Sequence, residues 1–174
     1  INFASYVEVP RVKGNAAVNM AFFWSEEGPM MVVQLGNNPP NLVPLWDPIR
    51  PCVRGEQFQG MPAIDISLIG NICSAWCPEY NEVRFAVTKK TTGAAANPRN
   101  DMLLCLDLNS ALEVVSDPEA YPVWRMRDNT NTQLPVDTLF LAQVDPSTGL
   151  MSATGQRRMF CASNGLMYEM DTIG

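Results

Sequence analysis

Histidine is missing from all 174 residues. Without an imidazole the chain has no Ser-His-Asp triad, no Cys-His pair and no His-built zinc site. It also has no Walker A loop, GxGxxG fingerprint or EF-hand loop, which excludes the phosphate and calcium chemistry those motifs support. Positive charge is scarce: 12 Lys and Arg stand against 18 Asp and Glu, for a net charge of −6 and a pI near 4.6. No basic run compensates, since Lys89-Lys90 and Arg157-Arg158 are isolated pairs. Such a chain repels phosphate backbones, which argues against sequence-specific nucleic-acid binding. Long apolar stretches are absent too; residues 20–24 form one of the longest, far short of the roughly 20 residues a membrane helix needs. Five cysteines, an odd number widely spread, do not suit a closed disulfide framework, and we read all five as small buried hydrophobes.

What is present is an ordinary globular composition, 47% hydrophobic and 17% charged, with 14 Pro and 11 Gly punctuating the whole length. Short segments bounded by the turn chemistry of Gly, Pro, Asn and Asp predict strands at 18–25, 30–35, 42–45, 72–76, 82–87, 102–107, 123–126, 138–144, 158–162 and 166–170. Asp145-Pro146-Ser147-Thr148-Gly149 reads as a turn, and Asn164-Gly165 as a type I′ hairpin. Helical periodicity is nearly absent, except for a helical turn predicted within 111–121 around Leu112, Val114 and Val115. The stretch 46–62, with Pro48, Pro51 and Pro62, reads as an extended connection. The organisation expected is a first blade-like segment at 1–45, a proline-rich connection at 46–71 and a blade-like β module at 72–174. Strand sets opening near Val18, Ile72 and Thr138 recur at about the spacing of propeller blades. The fold class expected is therefore all-β, with short antiparallel sheets arranged as propeller-type blades. Ile1 in place of an initiator Met, and an end that follows closely on a predicted strand, suggest a fragment of a larger propeller.

Within this scheme 102–107 is a middle strand and 123–126 an outer one, on which Trp124 packs while Arg125 faces water. A buried Trp contributes roughly 2–3 kcal/mol of transfer free energy, so Trp24, Trp76 and Trp124 are read as packing groups. Trp46, in the connection, is the aromatic best placed for an interface. The segment 88–100 is longer than a hairpin needs and carries Lys89, Lys90 and Arg99 at its edges. These three cations complete the candidate interface, docking on an acidic face of a neighbouring subunit. The acidic pairs Glu26/Glu27, Glu79/Glu82 and Asp117/Glu119 are assigned to solvated surface, and Asp101 and Asp107 to turns. No catalytic residue, metal ligand or cofactor is expected.

The segments "NEVRFAV" (81–87), "NDMLLCLDL" (100–108), "PVWRMRDN" (122–129) and "RMFCASNGLMYEMDT" (158–172) resemble the β-propeller-like modules of tailed-phage virion proteins. The likeness covers roughly the C-terminal two-thirds of the chain. It is to the tail nozzle of short-tailed phages and to hub or stabilisation proteins. That resemblance implies a non-enzymatic structural component of a virion, most plainly of the tail. Copies would assemble in a ring with other virion proteins, a portal or tail adaptor among them. Viral DNA would pass without specific binding, and no membrane would be involved. The alternative is a carbohydrate-binding propeller module that contacts a host glycan through exposed Trp or Tyr. A two-carboxylate glycan hydrolase ranks below both.

Overall fold

In a computed structural model, described for residues 5–13, 16–91, 99–117, 119–128, 136–145, 147, 148, 150 and 152–170, the strands form three antiparallel sheets. Sheet 1 runs β1 (Val7–Lys13), β2 (Ala16–Ser25), β3 (Gly28–Leu35), β4 (Asn41–Pro44). Sheet 2 runs β5 (Cys73–Cys77), β6 (Glu82–Val87), β7 (Met102–Asp107), β8 (Trp124–Asp128). Sheet 3 places β10 (Gln156–Ser163) between β9 (Thr138–Val144) and β11 (Leu166–Glu169). Every pairing joins strands consecutive in sequence, which tight turns allow for antiparallel neighbours. At the β10–β11 turn Asn164 and Gly165 both take positive φ, +54° and +76°, as a type I′ hairpin requires. At the β9–β10 connection the Asp145 carboxylate accepts from Ser147 N at 2.8 Å and Ser147 Oγ at 2.6 Å. Pro146 and Gly149 of that predicted turn lie outside the described residues.

Sheet 2 is the middle layer. Alternate residues of its strands face opposite ways, and both faces are apolar. Val83, Phe85, Val87, Met102, Leu104 and Leu106 pack against Phe22, Trp24, Met31 and Val33 of sheet 1. Cys73, Ala75, Cys77, Ala86, Leu103 and Cys105 pack against Leu139, Met159 and Cys161 of sheet 3. The first interface is large and aromatic: Phe85 lies 5.6 Å from Trp24, edge on, and 6.1 Å from Trp124. The second combines six small residues, Cys73, Ala75, Cys77, Ala86, Cys105 and Cys161, with Leu103, Leu139 and Met159. All five cysteines are buried and none forms a disulfide.

Two findings correct the expected all-β propeller. The sheets are separate and unclosed, and the domain is mixed, with 17% helix and 50% strand. The propeller and tail-nozzle architecture is therefore set aside. The physical reason is that strand periodicity specifies which face of a strand is buried but not whether successive sheets close into a ring. Here the two-sided apolar character of sheet 2 is satisfied by one layer on each side. The helical content also has a local cause. Asp107 ends β7 and caps α2 (Leu108–Ser116), its carboxylate accepting from Ser110 N at 2.9 Å. Asp117 then turns extended (φ −132°, ψ 109°), the conformation favoured before a proline. The helical turn expected around Leu112, Val114 and Val115 thus lies in a nine-residue helix that starts three residues before the predicted stretch 111–121 and ends at Ser116. Residues 46–71 hold short 3-10 helices at Asp47–Ile49 and Ile66–Asn71 and a four-residue α1 (Arg50–Val53). Ile49, Cys52, Val53 and Ile64 from this stretch join Leu108, Ala111 and Leu112 of α2 in the core shared by sheets 1 and 2.

Candidate functional site

The four expected interface residues separate into two groups. The cations at the ends of 88–100 are engaged with their own chain. Lys89 N donates to Asp101 Oδ1 at 2.8 Å, and its ammonium lies 3.7 Å from Asp101 Oδ2. Lys90 Nζ donates to the Gly55 carbonyl at 3.2 Å. Arg99 sits 3.6 Å from the Asp137 carboxylate and donates to Asn164 Oδ1. Residues 92–98, the predicted loop tip, lie outside the described residues. Between the two ends, the buried Asn100 amide donates to Asn71 O at 2.7 Å and Val136 O at 3.1 Å and accepts from Thr88 Oγ1 at 3.1 Å. This side chain ties sheet 2, the connection and the lead into sheet 3 together. Polar sequence around it reads as loop, which is why Asn100 was not singled out.

Trp46, by contrast, borders a cavity. It follows β4 and opens the 3-10 helix Asp47–Ile49, its carbonyl accepting from Ile49 N at 3.0 Å. One side of the indole lies against Gly28, which has φ +133°; a Cβ added there would sit 2.8 Å from Trp46 Cβ. Only glycine combines that backbone angle with so close an approach. The Arg50 guanidinium lies over the ring, 4.6 Å from its centroid, and pairs with Asp47. The cavity, about 490 Å³, is lined by Glu26, Glu27, Trp46, Val53, Arg54, Ile66 and Ile69. It gathers the β2–β3 turn, α1 and the 3-10 helix Ile66–Asn71, three stretches far apart in sequence. Its size falls in the range of roughly 300–1,000 Å³ typical of binding sites.

The other tryptophans are committed to packing. Trp24 is 1% exposed, and Trp76 and Trp124 pack half-buried against the same core. Trp124 Nε1 donates to the Leu45 carbonyl at 2.9 Å, bridging sheet 2 to the start of the connection. A second groove, about 450 Å³, lies on sheet 1 among Tyr6, Glu8, Asn19, Ala21, Val32 and Gln34. Tyr6 there donates to Glu8 Oε1 at 2.7 Å, and that bond raises the Tyr6 pKa. The exposed tyrosines Tyr6, Tyr80 and Tyr121 stand on three different segments.

One acidic residue departs from its expected surface role. Glu82 is buried between sheets 2 and 3, with Oε2 3.3 Å from Arg84 Nε and Oε1 3.1 Å from Arg125 Nη1. The Arg84 guanidinium also lies 3.5 Å from Met159 Sδ of sheet 3 and 5.1 Å from the Tyr80 ring centroid. Asp101 and Asp107 do serve the chain ends of their strand, as described above. Among the described residues no group of three His, Cys, Asp or Glu side chains is placed to hold a metal ion. Burial pushes the Cys73 thiol up to about 11, so this sulfur stays protonated at neutral pH. Among the described residues no helix is long and apolar enough to cross a membrane.

With this geometry in hand, comparison outward is brief. No family model, curated protein or solved structure matches the chain.

Proposed function

We propose that the chain is a structural module that works by subunit assembly, as a component of a virion-type particle. The observation that carries this reading is the groove around Trp46. Ile66 stands half exposed on its wall, and Glu26 and Glu27 line it as well, so one concave surface combines apolar and charged groups, as protein interfaces do. The allocation of aromatics points the same way. Indole groups are used to hold sheets together, and the exposed tyrosines are dispersed, whereas glycan recognition asks for aromatic rings gathered on one surface. The virion setting comes from the segment resemblance described for the sequence. In an assembly around a DNA passage, a net charge of −6 repels phosphates and lets the polymer slide without sticking.

Light scattering on the wild-type chain, over concentrations up to about 100 µM, tests this reading. Concentration-dependent growth to species of defined mass is expected. A strictly monomeric chain over that range overturns the assembly function. Retention of duplex DNA at physiological salt overturns the passive-passage role.

A further inference from the structure

We propose that the Trp46 groove receives the edge of a second copy at Tyr121, Val123 and Arg125, so that copies add head to tail. The inference rests on the assembly reading and names the two surfaces involved.

The groove is apolar and acidic. Ile66 is 50% exposed on its wall. The Glu26 and Glu27 carboxylates take part in no ion pair among the described residues, whereas Asp47, Glu82, Asp101, Asp137 and Glu169 all do. Two adjacent, uncompensated carboxylates beside an exposed apolar wall favour a partner with a cation next to apolar side chains. Arg54, on the same lining, supplies a donor for that partner's carbonyl or carboxylate oxygens.

The chain carries such a surface. Tyr121, Val123 and Arg125 occupy alternate positions leading into and along β8, with exposures of 68%, 48% and 63%. Arg125 pairs with Glu82, but Arg84 shares that carboxylate, so two guanidiniums face one acid and positive charge is left over at this surface. Trp124 and Met126 alternate inward to the core shared with sheet 1, so Val123 and Arg125 face the other way. Beside them the Arg127 guanidinium lies over the Tyr80 ring at 5.4 Å, adding positive charge to the same region. β8 is an edge strand of sheet 2, and no described strand pairs with its outer side. Both halves of a complementary contact are thus present on one polypeptide, which is what singles out a second copy as the occupant. The halves differ from each other, so the joint is heterologous. Repetition of such a joint makes a ring where the rotation closes and a filament where it does not.

Sedimentation velocity on two surface variants tests the proposal. Glu26→Lys/Glu27→Lys/Ile66→Asp removes the groove chemistry and keeps the edge. Tyr121→Asp/Val123→Asp removes the edge and keeps the groove. Each variant alone is expected to be monomeric where the wild type associates. An equimolar mixture is expected to give a dimer that grows no further, because only one productive joint remains. Should either multiple variant melt well below the wild type, Ile66→Ser and Tyr121→Ser carry the test, each weakening association about tenfold. Undiminished self-association of the variants, or a mixture that stays monomeric, overturns the two surfaces while the assembly reading stands. A wild type that is itself monomeric overturns both.

Discussion

Glu82 and Arg84 lie side by side on β6, carboxylate Oε2 to guanidinium Nε at 3.3 Å, with side-chain exposures of 1% and 0%. Two residues apart on one strand, they share a face, and that face is covered by sheet 3. Burying such a pair costs desolvation that its own attraction only partly offsets. Removing one partner is the damaging event. We expect Glu82→Ala to destabilise the domain by about 3–5 kcal/mol in denaturant unfolding. The double variant Glu82→Leu/Arg84→Met should recover most of that loss. A single variant as stable as the wild type would show that the pair carries no structural weight.

Gly28→Ala tests the wall of the groove. The substitution sets a Cβ at 2.8 Å from Trp46 Cβ and forces a side chain onto a φ of +133°. A loss of about 1–3 kcal/mol is expected from the backbone angle alone. Because Trp46 must shift, its fluorescence emission should move as well. An unchanged spectrum with unchanged stability would contradict the close approach described.

The Cys73 thiol gives a pH dependence with a definite sign. Its folded pKa, about 11, lies above the ordinary value of 9.0, chiefly through desolvation. Between these values the unfolded chain loses a proton that the folded chain keeps. Stability is therefore flat below pH 9 in this respect and falls as pH rises toward 11. The fall amounts to about 2–3 kcal/mol. Burial raises Cys161 and Cys52 in the same direction. Urea titrations at a series of pH values should show the decline, and Cys73→Ala should reduce its slope. Equal slopes in the two proteins would refute the assignment.

Asp107→Ala removes the cap of α2, leaving Ser110 N without its carboxylate acceptor. A cost of about 1 kcal/mol is expected in thermal or urea unfolding. Asp107→Asn should retain most of the stability, since an amide oxygen accepts the same bond. Equal losses in both variants would point to charge rather than capping.

Most strands were legible because their cause is local. The short segments "EVRFAV" and "MLLCLD", the second a continuous apolar run, marked β6 and β7 at their observed bounds, and Asn164-Gly165 marked the β10–β11 turn through its need for positive φ. β1 was not read, because "VEVPRVK" mixes three charges with a proline, and a proline demotes a predicted strand. On an edge, with β2 as its only neighbour among the described strands, β1 does not need that amide hydrogen. Trp46 was marked by sequence as an unexplained aromatic, but the groove it borders joins stretches at 26–27, 46–54 and 66–69 that no local pattern relates.

The sequence alone determined every strand after β1, the tight turns, the burial of the cysteines and the negative charge, since each follows from side-chain chemistry over a few neighbouring residues. Tertiary structure decided that sheet 2 lies between two others, that Glu82 and Arg84 are sealed beneath sheet 3, and that Lys89, Lys90 and Arg99 are bound to their own chain. Those outcomes depend on which surfaces meet across layers. Partners remote in sequence meet only when the sheets stack, and the periodicity of a single strand carries no record of what will cover it.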